Sequence, residues 1–97
     1  MGIEASRFSV HRVCTYDGHE IRAEKRSLFF TMEYSLIIDG AKQDQLLGTY
    51  GLFVLHGVID SDGTKVPVEV LIEQPWWSTR FRCKVAGELI EMQRYDP

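Results

Sequence analysis

Apolar and polar residues alternate along most of this chain. In the segment SRFSVHRVCTY, Phe8, Val10, Cys14 and Tyr16 alternate with polar side chains. Such a period of two places successive side chains on opposite faces of an extended strand, whereas a helix repeats its apolar positions about every 3.6 residues. No segment has a convincing helical period. The pattern therefore predicts an all-β protein with little or no helix.

Glycines at regular intervals divide this pattern into hairpins. Gly18, Gly40 and Gly63 each follow an aspartate, Gly87 follows Ala86, and the successive spacings are 22, 23 and 24 residues. Asp-Gly pairs accept the positive φ angles of a two-residue hairpin turn. The flanking segments are rich in Val, Ile, Phe, Tyr and Thr, which favour strands. We therefore predict four successive hairpins and about eight strands.

Four hairpins in a chain of 97 residues fit two architectures. One is an antiparallel sandwich of two sheets, and the other is a flattened up-and-down barrel. We favour the sandwich, because a barrel of about eight strands is barely wide enough for its own side chains. A chain this short supports one compact core, so we treat residues 1–97 as a single all-β domain with frayed termini at 1–6 and 95–97.

The turns also predict which residues face each other, because a two-residue loop fixes the register of a hairpin. In the first and fourth hairpins this register makes one face apolar and the other polar. The predicted pairs are Cys14 with Ile21, His11 with Glu24, His56 with Glu69, Val54 with Leu71, Cys83 with Ile90, Arg82 with Glu91, Phe81 with Met92 and Arg80 with Gln93.

The strand from Tyr50 to Ile59 is apolar on both faces. Its odd-numbered residues share a face with the valines of the next strand, which makes that face the core. The other face carries Leu52, Val54 and Val58, with Leu71 opposite Val54. A strand that is apolar on both sides needs a second cover, from its own chain or from another molecule.

Two covers are possible for this second face. The second hairpin could supply one from within the chain, through its own apolar face, which comprises Leu28, Phe30, Met32, Tyr34, Leu36 and Ile38. Alternatively, two copies of the chain could bury the face in a two-fold contact, which closes on itself. We predict the homodimer, or a contact with an unknown protein partner, with the second hairpin as the alternative.

The two tryptophans of the chain, Trp76 and Trp77, are adjacent in the stretch EQPWWSTR. Pro75 cannot donate to a sheet, so this stretch is predicted to connect the third hairpin to the fourth. Adjacent residues in an extended segment point in opposite directions. We therefore predict that one indole closes the end of the core and that the other is exposed to a partner, with a two-tryptophan recognition platform as the alternative.

Arg80, Arg82 and Lys84 alternate along the strand that follows the tryptophans. Basic residues beside exposed aromatic side chains are typical of surfaces that bind single-stranded nucleic acid. The net charge of −3 argues against that function. Binding of a small apolar ligand or of single-stranded nucleic acid by this strand and the tryptophan loop is therefore the alternative function, after protein interaction.

The sequence offers no catalytic or metal-binding pattern. His11 and Cys14 point to opposite faces of their strand, so they cannot share a zinc ion without a bulge. His56 lies opposite Glu69, but the register places no nucleophile beside it. We therefore expect no catalytic residues, no metal and no cofactor, and we interpret the protein as a non-enzymatic module.

The remaining features bear on location. Cys14 and Cys83 are too few for a disulfide framework, and each alternates with apolar residues, which predicts reduced thiols in the core. The most apolar run, Leu46 to Ile59, is shorter than the roughly 20 residues needed to cross a bilayer. No apolar signal segment opens the chain. We expect a cytoplasmic protein without a transmembrane segment.

Overall fold

The computed structural model describes residues 9–75 and 78–95. These residues form nine strands and no helix, which confirms the predicted all-β class. The strands are β1 (Ser9–Tyr16), β2 (His19–Ser27), β3 (Met32–Ile38), β4 (Ala41–Gly48), β5 (Gly51–Ser61), β6 (Thr64–Gln74), β7 (Arg80–Val85), β8 (Glu88–Ile90) and β9 (Gln93–Arg94). Of the termini predicted to fray, residues 1–6, 96 and 97 lie outside the described part of the chain.

The strands form two antiparallel sheets that follow chain order around a flattened sandwich. The first sheet has the order β4-β3-β2-β1-β9, and the second has the order β5-β6-β7-β8. Within the described residues no ladder joins β4 to β5 or β8 to β9. The sandwich is therefore confirmed, and the fold is not a closed barrel.

All four predicted turns are formed. At each turn both central residues have positive φ: Asp17 and Gly18, Asp39 and Gly40, Asp62 and Gly63, and Ala86 and Gly87. Positive φ at both positions defines the type I′ turn, whose twist matches the twist of the flanking strands. The first and third hairpins consequently have the predicted registers, with Cys14 opposite Ile21, His11 opposite Glu24 and His56 opposite Glu69.

The register of the fourth hairpin was predicted correctly only at its start. Cys83 lies opposite Ile90, but the ladder between β7 and β8 ends there. After Ile90 the chain crosses to the first sheet, where Gln93 pairs with Val13 in β1. The predicted pairs of Arg82 with Glu91, Phe81 with Met92 and Arg80 with Gln93 are therefore not formed as strand pairs. The crossing gives the edge of β1 a partner, which an ordinary hairpin would have left open.

The inner faces of the two sheets form one core. The core residues are Cys14, Ile21, Ala23, Tyr34, Leu36 and Ile38 from the first sheet and Leu55, Ile59, Val68, Val70, Ile72, Cys83 and Val85 from the second. Both cysteines are free thiols in this core, as predicted.

The second hairpin does not cover the outer face of β5, because its strands β3 and β4 belong to the first sheet. Its predicted apolar face is also interrupted. Residues 28–31 form a turn, with the Leu28 N–H donating to the Thr31 carbonyl at 2.7 Å, and the strand begins only at Met32. Phe29 and Phe30 consequently lie at an exposed tip, 89% and 85% accessible to solvent.

Side chains join the two sheets where β4 lies beside β5. The Gln43 amide accepts a hydrogen bond from the Val58 N–H (2.7 Å) and donates one to the Val58 carbonyl (3.1 Å). The His56 N–H donates to the Asp44 carboxylate at 2.8 Å. These bonds satisfy backbone groups at the edge of β5 that a closed barrel would pair with another strand.

The turn glycines provide a direct test of the fold. Gly40 has a φ of 82°, and among the described residues no atom beyond its chain neighbours lies within 4 Å of an added Cβ. A Gly40→Val variant should therefore lose about 1 kcal/mol or more of unfolding free energy through backbone strain alone. Gly40→Asn is the control, because Asn tolerates positive φ. Urea denaturation measures both variants, and a Val variant as stable as the parent would contradict the turn assignment.

Candidate interaction surface

The outer face of the second sheet carries the predicted apolar residues. We define the apolar patch as Leu52, Val54, Val58 and Leu71. Leu52 is 77% exposed, Val54 38% and Val58 44%, while Leu71 is half-buried opposite Val54. The structure therefore brings all four residues together on one exposed face, because β5 and β6 are in the register that the Asp62–Gly63 turn dictates.

A polar pair lies within the apolar patch. His56 Nδ1 is 3.8 Å from a Glu69 carboxylate oxygen, and both side chains are largely exposed. This contact confirms the predicted cross-strand polar pair. It gives the patch a group of each sign when the imidazole is protonated, which a partner surface would have to match.

The basic residues predicted as a candidate surface lie on the same outer face and have acidic neighbours. One Glu73 oxygen is 3.6 Å from the Arg82 guanidinium and 3.9 Å from that of Arg80. Lys84 lies opposite Glu69 in the ladder between β6 and β7. Carboxylates therefore offset much of the positive charge along β7, and the face is mixed in sign rather than basic.

A groove runs along the end of the sandwich beside Leu52. It has a volume of about 410 Å³, and its lining residues are Gly51, Leu52, Glu73, Gln74, Pro75, Ser78 and Arg80. Leucine and proline form its apolar part, and the Glu73–Arg80 pair forms its charged wall. Its size falls within the range of about 300 to 1,000 Å³ that is usual for small-molecule sites.

The connection that contains the tryptophans is anchored by Gln74. This side chain is 3% exposed, and its amide N–H groups donate to the carbonyls of Pro75 (2.8 Å) and Ser78 (3.2 Å). Trp76 and Trp77 themselves lie outside the described residues, so the predicted division between a buried and an exposed indole stays a prediction. The anchored Gln74 fixes both ends of the segment that carries them.

The same glutamine links the two sheets. Its amide oxygen accepts hydrogen bonds from the Tyr34 hydroxyl (3.1 Å) and from Thr79, whose own oxygen accepts a bond from the Lys25 ammonium (2.9 Å). Burial raises the pKa of Tyr34 to about 12 and lowers the pKa of Lys25. Tyr34 therefore remains a neutral donor at physiological pH. This polar network closes the core at the end where the groove lies.

Phe29 and Phe30, predicted to lie in a strand, are exposed aromatic residues at the tip of a turn. Their rings are in edge contact, with centroids 4.4 Å apart. They lie midway between Gly18 and Gly40, where the chain must turn to begin the next hairpin. That position in the repeat was the one signal that could have identified a turn, because the segment lacks an Asp-Gly pair.

The three histidines lie apart, each beside a different carboxylate. His11 Nδ1 is 3.2 Å from Glu24 on the first sheet, His56 pairs with Glu69 on the second, and His19 lies at the opposite end near Asp39. Residues 9–75 and 78–95 contain no group of three or more His, Cys, Asp or Glu side chains suited to a metal ion.

Comparison with known proteins adds no family assignment. No family model, curated protein or solved structure matches the chain. Among its described residues there is no helix of sufficient length and apolarity to cross a membrane.

The contact between two turns allows an electrostatic test. His19 Nδ1 is 2.6 Å from Asp39, and the Glu20 N–H also donates to that carboxylate. The carboxylate raises the pKa of His19 above its ordinary 6.5, and the imidazole lowers the pKa of Asp39. The contribution of His19 to stability should therefore be complete below about pH 6.5 and be lost as the pH rises through its folded-state pKa.

We expect Asp39→Asn to lower the titration midpoint of His19, measured from its imidazole proton shifts by NMR. Asn keeps the positive φ of the turn, so the change removes the charge without removing the turn. Asp62→Asn, at a neighbouring turn, is the control and should leave the midpoint unchanged. An unchanged midpoint in Asp39→Asn would contradict the contact.

Proposed function

We propose that this protein is a small intracellular interaction module that self-associates through the apolar patch of its second sheet. The observation that carries the proposal is the exposure of Leu52, Val54 and Val58 on one face of β5, with the half-buried Leu71 of β6 opposite Val54. Water contact with several adjacent aliphatic side chains costs free energy, at roughly 25 cal/mol for each Å² of apolar surface. A partner that covers the patch recovers this free energy.

A second copy of the chain is a suitable partner because of how charges are arranged on this face. Each copy presents both signs there, with Glu73 and Arg82 at one end of the patch and with Glu69, opposite Lys84, within it. In a two-fold contact the same patch meets itself, so groups of opposite sign can pair across the axis. An unrelated protein partner would need its own surface to carry a complementary arrangement of charges.

The test replaces Leu52 with glutamate. Because Leu52 is exposed, Leu52→Glu should remain folded, whereas a buried carboxylate in a dimer contact should weaken association by at least about tenfold. Leu47→Glu is the matched control, since Leu47 is 59% exposed on β4 in the other sheet. Sedimentation velocity over a range of concentrations measures association, and circular dichroism checks folding.

Three results would count against self-association through this face. The parent could remain monomeric at the highest concentration tested. It could form a dimer that Leu52→Glu leaves intact, which would place the contact elsewhere. Alternatively, Leu47→Glu could weaken the dimer as much as Leu52→Glu, which would indicate a general effect of added charge.

The groove beside Leu52 supports a second candidate function, the binding of a small apolar ligand. Its volume of about 410 Å³ and its partly apolar lining by Leu52 and Pro75 favour this function. Single-stranded nucleic acid is less well supported, because Glu73 offsets the charges of Arg80 and Arg82. Both ligands would use the connection that Gln74 anchors.

A dye and an oligonucleotide distinguish these ligands. We expect anilinonaphthalene sulfonate to bind saturably with increased fluorescence, and Ser78→Tyr to reduce this binding by filling the groove. Thr64→Tyr, exposed at the opposite end of the molecule, is the control. Fluorescence anisotropy with labelled oligothymidine should show no saturable binding at physiological salt. Dye binding that is equal in both variants would argue against the groove.

A further inference from the structure

Two thiols from opposite sheets meet inside the core. Cys14 is on β1 of the first sheet and Cys83 is on β7 of the second, and both side chains are on the inner faces. Cys14 and Ile90 line the same cavity, and Ile90 is the ladder partner of Cys83, so the two thiols lie in the same part of the core. They are the only cysteines of the chain, 69 positions apart in sequence. The fold thus brings together the two groups that could form a disulfide within one chain.

One of the two thiols can be reached from outside. Cys14 is 8% exposed, whereas Cys83 is fully buried. Cys14 lines a cavity of about 280 Å³ beside Thr15, Ile90 and Glu91. The cavity lies at the corner where the chain crosses from β8 to β9 and where no ladder of the described residues closes the sandwich. A molecule as small as hydrogen peroxide could therefore approach the sulfur of Cys14.

The electrostatics of the pair differentiate the two sulfurs. The hydrogen bond with Cys83 lowers the pKa of Cys14, while this bond and burial raise the pKa of Cys83. A thiolate is the nucleophilic form of cysteine. Cys14 is also the cysteine that is partly exposed and lines the cavity, so it is the one that reacts first, and Cys83 lies behind it in the core.

We propose that Cys14 and Cys83 form a dithiol site that a hydroperoxide converts into a disulfide between the two sheets. The Cys14 thiolate attacks one oxygen of hydrogen peroxide, the O–O bond breaks, and the released hydroxide takes a proton to become water. The sulfur of Cys83 then attacks the Cys14 sulfenic acid. The S–O bond breaks, the proton of Cys83 leaves with the hydroxyl group as a second water, and the S–S bond forms.

Atoms and electrons balance in this reaction. The two thiols lose two electrons and two protons, and one hydrogen peroxide is reduced to two waters. The disulfide would connect β1 directly to β7. It would thus fasten the two sheets at a place where only side-chain packing joins them.

The test treats the folded parent protein with hydrogen peroxide, removes the peroxide, unfolds the protein and alkylates any free thiols. We expect mass spectrometry to show a loss of about 2 Da, no alkylation, and a peptide that links Cys14 to Cys83. Thiols that are both still alkylated would overturn the proposal. So would a disulfide that forms only between chains or only when urea is present during oxidation. None of these results depends on a variant.

Two variants test the order of the steps. Cys83→Ser should stop the reaction at the sulfenic acid of Cys14. This product is about 16 Da heavier than the thiol, and dimedone traps it. Cys14→Ser should leave Cys83 unmodified, because its sulfur is fully buried. A sulfenic acid on Cys83 instead would refute the role assigned to Cys14. The dimer test at Leu52 involves a different face, so either proposal can fail without the other.

Discussion

The structure depends on four two-residue turns. Each holds two consecutive residues at positive φ, with Asp or Ala first and Gly second. Because side chains on a strand alternate between two faces, a slip of one residue at any turn would exchange core and surface along a whole hairpin. The turn at Asp62–Gly63 therefore determines at once that Leu55 and Val70 are buried and that Leu52 and Leu71 face outward. The same turn therefore determines both the core of the second sheet and the position of the apolar patch.

This repeat also gives the two ends of the molecule different roles. All four type I′ turns lie at one end, where short polar contacts such as His19 with Asp39 hold neighbouring turns together. The connections from one hairpin to the next lie at the other end, which side chains close. Tyr34, Gln74 and Thr79 do this with a satisfied polar network rather than an apolar plug. A network of that kind fixes backbone positions closely, because each buried polar atom requires its partner. The groove is therefore lined in part by this network, through Gln74.

The sequence predicted the features that the two-residue turns control. It did not predict the features that lie away from these turns. Hairpin registers followed from Asp-Gly pairs and from the period of two. The turn at Phe29 and Phe30 and the crossing to Gln93 have no such signal, since each is decided by how one hairpin docks against the next. The Gln74 network and the contact of Cys14 with Cys83 join residues of different sheets. The alternation of residues along one strand does not show which residues of the other sheet will lie opposite them. The apolar patch was predictable because both of its strands belong to a single hairpin.

The edge of β5 bears on how the proposed association would occur. An exposed strand edge usually attracts another strand, which leads to open-ended growth rather than to a defined pair. Here Gln43 occupies both backbone groups of Val58, and Asp44 occupies the His56 N–H. Strand addition along that part of the edge would require these bonds to break, whereas the outer face beside it keeps Leu52 and Val54 exposed. The protected edge and the exposed face together favour a contact between the outer faces of two copies. Such a two-fold contact is complete with two copies and does not continue to grow.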